Sequence, residues 1–297
     1  MAVSYMAKRR WGKYAFSLPG VLFIASLIVI PIAYNVVMSF QNVDLMNFAR
    51  GERLFVGFGN YSNIFRTDVF GTALRNTLVF TFWCLIFQFP LGFAMALYFG
   101  KSFPGSGFMR GICLIAWMLP MVSVAGVFKF MFNGDVGIIN NILLRLHLVG
   151  ETIPWLSKQD TAMTAIVVAN IWKGIPFNMI LLATALTTLP ADIYEAASID
   201  GASPVQKFFL ITVPLLKPAI LSVLTLGFIY TFKVFDLVYV MTGGGPGSST
   251  EMLSTLAYRY SFNEYNFSEG AAVSNVLFVI LMCVGIFYIN LVQREDR

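Results

Sequence analysis

Three ionisable side chains stand inside long apolar runs: Lys173 near the middle of one, and Lys233 with Asp236 in another. An ionisable group at the centre of a bilayer costs about 2.5–3.5 kcal/mol on insertion scales, so each must face protein or a water-filled cavity. Lys233 and Asp236 are spaced i, i+3, which on a continuous helix puts them on one face within reach of an ion pair. Such a pair either neutralises itself and ties helices together or lines a polar path; Lys173 has no partner nearby in sequence. Trp117, Trp172, Phe177 and Tyr239 share these runs and offer ring faces, while Asn170, Lys173, Thr231 and Asp236 offer hydrogen-bonding groups. That mixture suits a polyhydroxylated ligand, whose hydroxyls need paired donors and acceptors and whose C–H faces stack on rings.

Chemistry of the bond-breaking kind is missing. No nucleophile, base and orienting group occur together. His147 is the only histidine and falls between apolar runs, where solvation accounts for it. Cys84, Cys113 and Cys283 all fall inside apolar runs, so neither a disulfide framework nor a thiolate metal site is implied. The string FGKS at residues 99–102 lacks the first glycine of a phosphate-binding loop, because that position is Met95. GGGPGSS, residues 243–249, has no following lysine and reads as a turn-rich loop. Lys129, near the end of its run, snorkels.

One polar interruption has a different character: EAASIDGASPVQKFFLITVPLLKP, residues 195–218. Asp192 stands three residues before Glu195, an N-cap acid with a glutamate reaching back, so a short helix is expected to begin near Ile193. Gly201 after Asp200 is placed to close that helix in the left-handed conformation. Ser203, Pro204 and Gln206 repeat the start signal, and a second helix is expected from Pro204 to about Thr212, ending before Pro214. Ala196, Ala197, Gly201 and Ala202 keep the corner thin enough for another protein's backbone to approach. By composition alone the segment could equally be an interfacial connection between two spans.

The elements around these residues are membrane spans. Of the 297 residues 58% are hydrophobic and only 12% charged, about half the charged share of a soluble domain. Six segments are long enough to cross a bilayer, at about 15–40, 72–99, 107–131, 162–188, 217–242 and 270–292. They are helices, since the alternation of a barrel strand is absent. The first is read as a retained span, being too long for a signal sequence and followed by others. The densest basic cluster is Lys8, Arg9, Arg10 and Lys13, and Lys101 with Arg110 flank the second connection; both belong inside by the positive-inside rule. Both termini and the segment at about 189–218 are thereby expected in the cytoplasm. The formal charge of +5 comes from scattered or span-flanking residues, so nucleic-acid binding is not indicated.

EAASIDGASPVQKFFLITVPLLKP resembles the EAA motif of permease subunits of bacterial ABC importers. Glu195, Ala196, Ala197, Gly201, Ile211 and Pro214 match it, and Val213 stands where leucine is usual. FDLVYVMTGGGPGSSTEMLSTLAYRYSF, residues 235–262, and IWKGIPFNMILLATALTTLPADIYEAA, residues 171–197, look like carbohydrate-type permeases of the maltose, multiple-sugar and glycerol-3-phosphate importers, in particular the first of their two permease subunits. The resemblance runs from about Pro19 to Leu291, without the outer-loop insertion and leading helices of the maltose subunit.

The resemblance implies an all-α integral membrane protein of six helices, a single permease domain of the type I importer fold. It implies a cytoplasmic coupling helix, with Glu195, Ala196, Ala197, Asp200, Gly201, Ala202 and Pro214 docking an ATPase. Trp117, Lys173, Gly174, Phe177 and Thr231, with Lys233 and Asp236, are the implied substrate path. The implied partners are a second permease subunit, two ATPase subunits that bind ATP and magnesium, an extracytoplasmic solute-binding protein, membrane lipid and a carbohydrate; this chain would carry no cofactor and no catalytic residue, in a bacterial inner membrane. Two rival readings are a stand-alone secondary transporter, whose intramembrane lysines and aspartate carry coupling ions, and an integral-membrane enzyme. The first calls for inverted repeats, which the sequence does not display; the second lacks a catalytic constellation.

Overall fold

The computed structural model describes residues 16–101 and 103–295. The basic cluster Lys8, Arg9, Arg10 and Lys13, on which the expected orientation rests, lies outside them. The helices are α1 (Phe16–Met38), α2 (Leu45–Arg50), α3 (Gly59–Arg66), α4 (Asp68–Phe99), α5 (Ser106–Met118), α6 (Met121–Met131) and α7 (Ile138–Arg145). They continue with α8 (Gln159–Leu186), α9 (Ala191–Ile199), α10 (Pro204–Leu215), α11 (Lys217–Phe232), α12 (Asp236–Met241), α13 (Leu253–Tyr258) and α14 (Phe267–Glu295). The strands β1 (Gln41–Asn42) and β2 (Leu54–Phe55) form a short antiparallel pair, Gln41 opposite Phe55.

Among the described residues four helices, α1, α4, α8 and α14, are each long and apolar enough to cross a membrane unbroken, and two bent pairs, α5 with α6 and α10 with α11, bring the candidates to as many as six. The expected third span, about 107–131, is therefore not one straight helix: α5 and α6 meet at 94°. Pro120 explains the bend. It offers no N–H and drives the residue before it out of the helical region, and Leu119 is extended at φ −62°, ψ 140°. The expected fifth span, about 217–242, also breaks. Its helix stops at Phe232, runs through Lys233, Val234 and Phe235 as irregular chain, and resumes at Asp236. The Ser254 hydroxyl donates to the freed carbonyl of Val234.

The chain forms two compact units. Among the described residues the smaller covers 16–66 and 257–276. No residue of α1 is buried, so its surface is fitted to lipid or to another chain. After it, buried Asn60 donates to the carbonyls of Ser39 and Gln41 at 2.7 and 2.8 Å, and Asp44 opens α2 with a reciprocal capping box with Asn47.

The larger unit covers, among the described residues, 67–101, 103–256 and 277–295, and holds the chemistry singled out above. Its axis is the pair α4 and α8, which pack along their lengths, with α11 against both and α5 against α8. Near the middle of the pair each helix sets an amide against a glycine of the other. A Cβ on Gly174 would collide with the Gln88 side chain, and one on Gly92 would come within 2.5 Å of Asn178 Cβ and 3.0 Å of the Ile175 carbonyl. Small residues allow such close approach where lipid supplies no hydrophobic drive. Because 88 meets 174 and 92 meets 178, α4 and α8 run in the same direction. Around this crossing lies the core of Phe80, Cys84, Phe128, Ile166, Leu237 and Met241. The loop after α12 is compact: Gly243, Gly244 and Gly247 all have positive φ, Thr242 and Thr250 hydroxyls meet at 2.8 Å, and Asn76 donates to the carbonyls of Ser248 and Glu251.

Candidate functional site: a polar cavity and an exposed elbow

Five of the seven residues expected on the substrate path come together. Trp117, Lys173, Gly174, Phe177 and Thr231 line one cavity of about 250 Å³ within the larger unit. Trp117 and Phe177 stack with ring centroids 5.7 Å apart, and Tyr230 meets Phe177 edge-on at 5.5 Å. Asn170 joins the lining; Trp172 instead packs on Phe128, and Tyr239 stacks on Phe235.

Lys233 and Asp236 do not join it. The helix break puts Lys233 at the end of α11 and Asp236 at the start of α12, so they no longer share a continuous helical face, and no ion pair forms between them. Both are exposed. The Lys233 ammonium rests 5.4 Å from the centre of the Tyr230 ring, a cation–π arrangement.

Lys173 has found its partner far along the chain. From α8 its ammonium donates to the carbonyls of Trp117 at 3.1 Å and Leu119 at 2.6 Å, at the end of α5 where the chain bends. The last carbonyls of a helix have no intrahelical partner and carry the negative end of its dipole, so a lysine is well matched there.

Sequence reasoning passed over two amides that complete the cavity. Gln88, only 3% exposed, donates through Nε2 to Thr231 Oγ1 at 3.3 Å. Asn178, 1% exposed, donates through Nδ2 to the Gly174 carbonyl at 2.8 Å, and its Oδ1 is buried without a hydrogen-bond partner. In the sequence they stand as lone amides within LIFQFPLGFAM and GIPFNMILL, a weaker signal than a charge or a ring in an apolar run.

The second place is the polar interruption. α9 begins earlier than expected: its N-cap is Pro190, and Asp192 lies in the first turn rather than capping. Pro190 fixes φ at −65° and the chain enters the helix directly after it; Asp192 then faces the positive helix end. The other end follows expectation. Gly201 has φ 77°, Gly201 N–H donates to Ser198 O at 3.2 Å, and Ala202 N–H to Ala197 O at 2.9 Å. This double closure is the Schellman motif. Ser203 and Gln206 then form a full capping box opening α10.

α10 does not stop before Pro214 but runs on to Leu215. Residues Phe208–Thr212 form a π turn, whose carbonyls look to donors five residues on and so relieve the demand that a proline cannot meet. The chain then bends by 73° into α11.

Two side-chain bridges, unforeseen from the sequence, join the arms of this elbow. The hydroxyls of Tyr194 and Thr212 meet at 2.9 Å, and Lys207 Nζ donates to Ser198 Oγ at 2.5 Å. Beyond them the tip is bare. Glu195, Ala196, Asp200 and Gly201 are exposed, Ala197 and Ala202 are half-buried, and Pro214 is exposed on the far arm. Ile199 is 87% and Val205 66% exposed. A tip of small and apolar residues with two carboxylates among them, bridged across its arms and offered outward, has the make-up of a docking surface.

Comparisons with known proteins identify the family. The model of a family described as binding-protein-dependent transport system inner membrane component matches residues 88–294. The sulfoquinovosyl glycerol transport system permease protein SmoG of Agrobacterium fabrum is 33% identical over 278 residues, 94% of this chain and 89% of that one. The trehalose/maltose transport system permease protein MalF of Thermococcus litoralis is 38% identical over 239 residues, 80% of each chain. A crystal structure of a bacterial ABC transporter involved in the import of the acidic polysaccharide alginate contains a chain of the same fold, with TM-score 0.83 and 22% identity over the whole of both chains. The chain belongs to the family of binding-protein-dependent transport system inner membrane components, a family of multi-pass membrane proteins.

Proposed function

We propose that this chain is a permease subunit of an ATP-driven importer of carbohydrate, working in a bacterial inner membrane with both termini and the elbow on the cytoplasmic side. A second permease subunit completes the translocation path. Two ATPase subunits bind ATP and magnesium and supply the free energy; this chain hydrolyses nothing and needs no cofactor. A solute-binding protein delivers the sugar on the outer side. The relatives' sugar substrates and the cavity of amides, a hydroxyl and stacked rings support the carbohydrate reading.

The observation that carries the proposal is the elbow: a closed, doubly capped and doubly bridged corner whose outward side chains, Glu195 and Asp200, make no hydrogen bond or ion pair among the described residues. Glu195, Ala196, Ala197, Asp200, Gly201 and Ala202 form the fitting for the ATPase, and Pro214 sits where that arm turns toward the membrane. Movement of the ATPase displaces the rigid corner, and α8 and α11, which continue from its two arms, carry the displacement to the cavity they line.

Gly201→Pro tests this. Proline cannot adopt φ 77° and removes the N–H that Ser198 O accepts. The variant is expected to insert and assemble but to hydrolyse ATP without import. Import at the unmodified rate would show that the corner does not couple.

A further inference from the structure

The sugars named for the relatives include both anionic and neutral kinds, and the lining of the cavity bears on which kind it suits. We infer that it takes an uncharged polyol, a neutral saccharide, and that Lys173 is a positioning residue for the broken third span and not a counter-ion for the ligand. The inference rests on the carbohydrate reading above.

Lys173 is the one ionisable residue on the lining apart from the Tyr230 phenol. Two of its three N–H donors are committed to the carbonyls of Trp117 and Leu119. Those carbonyls close the end of α5, and Pro120 has no N–H to offer in place of the ammonium. The partial negative charge of the helix end also offsets much of the lysine's field. One turn along α8, Phe177 stacks on the Trp117 ring, so Lys173 and Phe177 together fix the backbone and side chain of one wall residue. Lys233, the next cation, is exposed and held over the outer ring Tyr230. No carboxylate lines the cavity.

What remains unspent is uncharged. Asn178 is buried, its Nδ2 is committed to Gly174 O, and its Oδ1 accepts nothing. This oxygen has no exposed surface, so it meets an O–H donor only when the wall shifts to uncover it, and covered or uncovered it repels an anion. The Gln88 to Thr231 bond is long at 3.3 Å, so the Thr231 hydroxyl and the Gln88 amide exchange readily to a ligand hydroxyl. Trp117, Phe177 and Tyr230 add ring faces and edges suited to pyranose C–H surfaces. A carboxylate, sulfonate or phosphate would lose its hydration here and meet a lysine already engaged.

The test uses the complete transporter with its partner subunits and binding protein in proteoliposomes with ATP. Uptake of maltose, trehalose and cellobiose is compared with that of maltobionate, digalacturonate and glycerol 3-phosphate, for the unmodified protein and for Lys173→Met. A neutral saccharide is expected to be carried about tenfold faster than any of the anions. Lys173→Met is expected to lower the melting midpoint of the complex and to slow all carried substrates by a common factor, leaving the preference unchanged. Faster uptake of an anion by the unmodified protein overturns the inference while leaving the carbohydrate reading intact if that anion is a saccharide, and so does selective loss of anion uptake in Lys173→Met. Uptake of none of the saccharides overturns the carbohydrate reading itself and this inference with it.

Discussion

The Tyr194 hydroxyl and the Thr212 hydroxyl meet at 2.9 Å, eighteen residues apart in sequence, across the corner that Gly201 turns. Thr212 is only 5% exposed, and its Oγ1 also reaches the Lys207 carbonyl at the π turn of α10. The bond therefore joins the first arm of the elbow to the irregular turn of the second, and makes a hinge into a bracket.

Tyr194→Phe and Thr212→Val each remove one partner of that bond. Tyr194→Phe is expected to cost about 1 kcal/mol of local stability, Thr212→Val more because it also loses the contact to the Lys207 carbonyl, and the double variant little more than Thr212→Val alone, as befits a shared interaction. The functional readout is the ratio of ATP hydrolysed to substrate imported. It is expected to rise in both single variants while the complex still assembles; a ratio unchanged in both would mean that the bond stabilises the corner without transmitting force.

Gly92 and Gly174 are expected to differ in their tolerance of a side chain. Gly92→Ala drives its Cβ against Asn178 Cβ and the backbone at Ile175 and Met179, and overpacking of this kind costs about 1–3 kcal/mol. Gly174→Ala meets only the Gln88 side chain, which has rotamers to give. Thermal unfolding of the purified complex checks the order: Gly92→Ala is the less stable, and Gly174→Ala loses import more than stability because Gln88 is pushed off Thr231.

Pro120→Ala restores an N–H at the bend of the third span. With Lys173 still closing α5, the bend is expected to persist but loosen. Spin labels at Ile112 and Val127, both exposed on the two arms, would report a broader and longer distance distribution. Combining Pro120→Ala with Lys173→Met is expected to straighten the span much further than either change alone.

The sequence made some of this legible and hid the rest for physical reasons. Caps are local, so the Ser203 capping box and the left-handed Gly201 could be read from neighbours in the chain. The Asp192 cap failed because a proline two residues earlier already set the helix start. Span ends were harder. Hydropathy counts residues and does not see a 94° bend at Pro120 or a break at residues 233–235 whose carbonyl is satisfied from Ser254. The expected Lys233–Asp236 contact assumed a continuous helix through that break. The cavity was found through its lysine and rings, but the Gln88 and Asn178 amides act through pairing between α4 and α8, and that register exists only in the fold.

Where the elbow sits and what it touches are both measured by a cysteine in place of the exposed Ala196. The assembled transporter in membrane vesicles is treated with an impermeant maleimide or with a maleimide carrying a photoreactive benzophenone, which inserts into C–H bonds of whatever lies beside it, with the unsubstituted protein setting the background from Cys113 and Cys283. Labelling of Ala196→Cys is predicted from the cytoplasmic side alone, with a crosslink to the ATPase subunit whose yield changes when ATP binds. Labelling from the outer side, or full accessibility with no crosslink in a transporter that still imports, would contradict it.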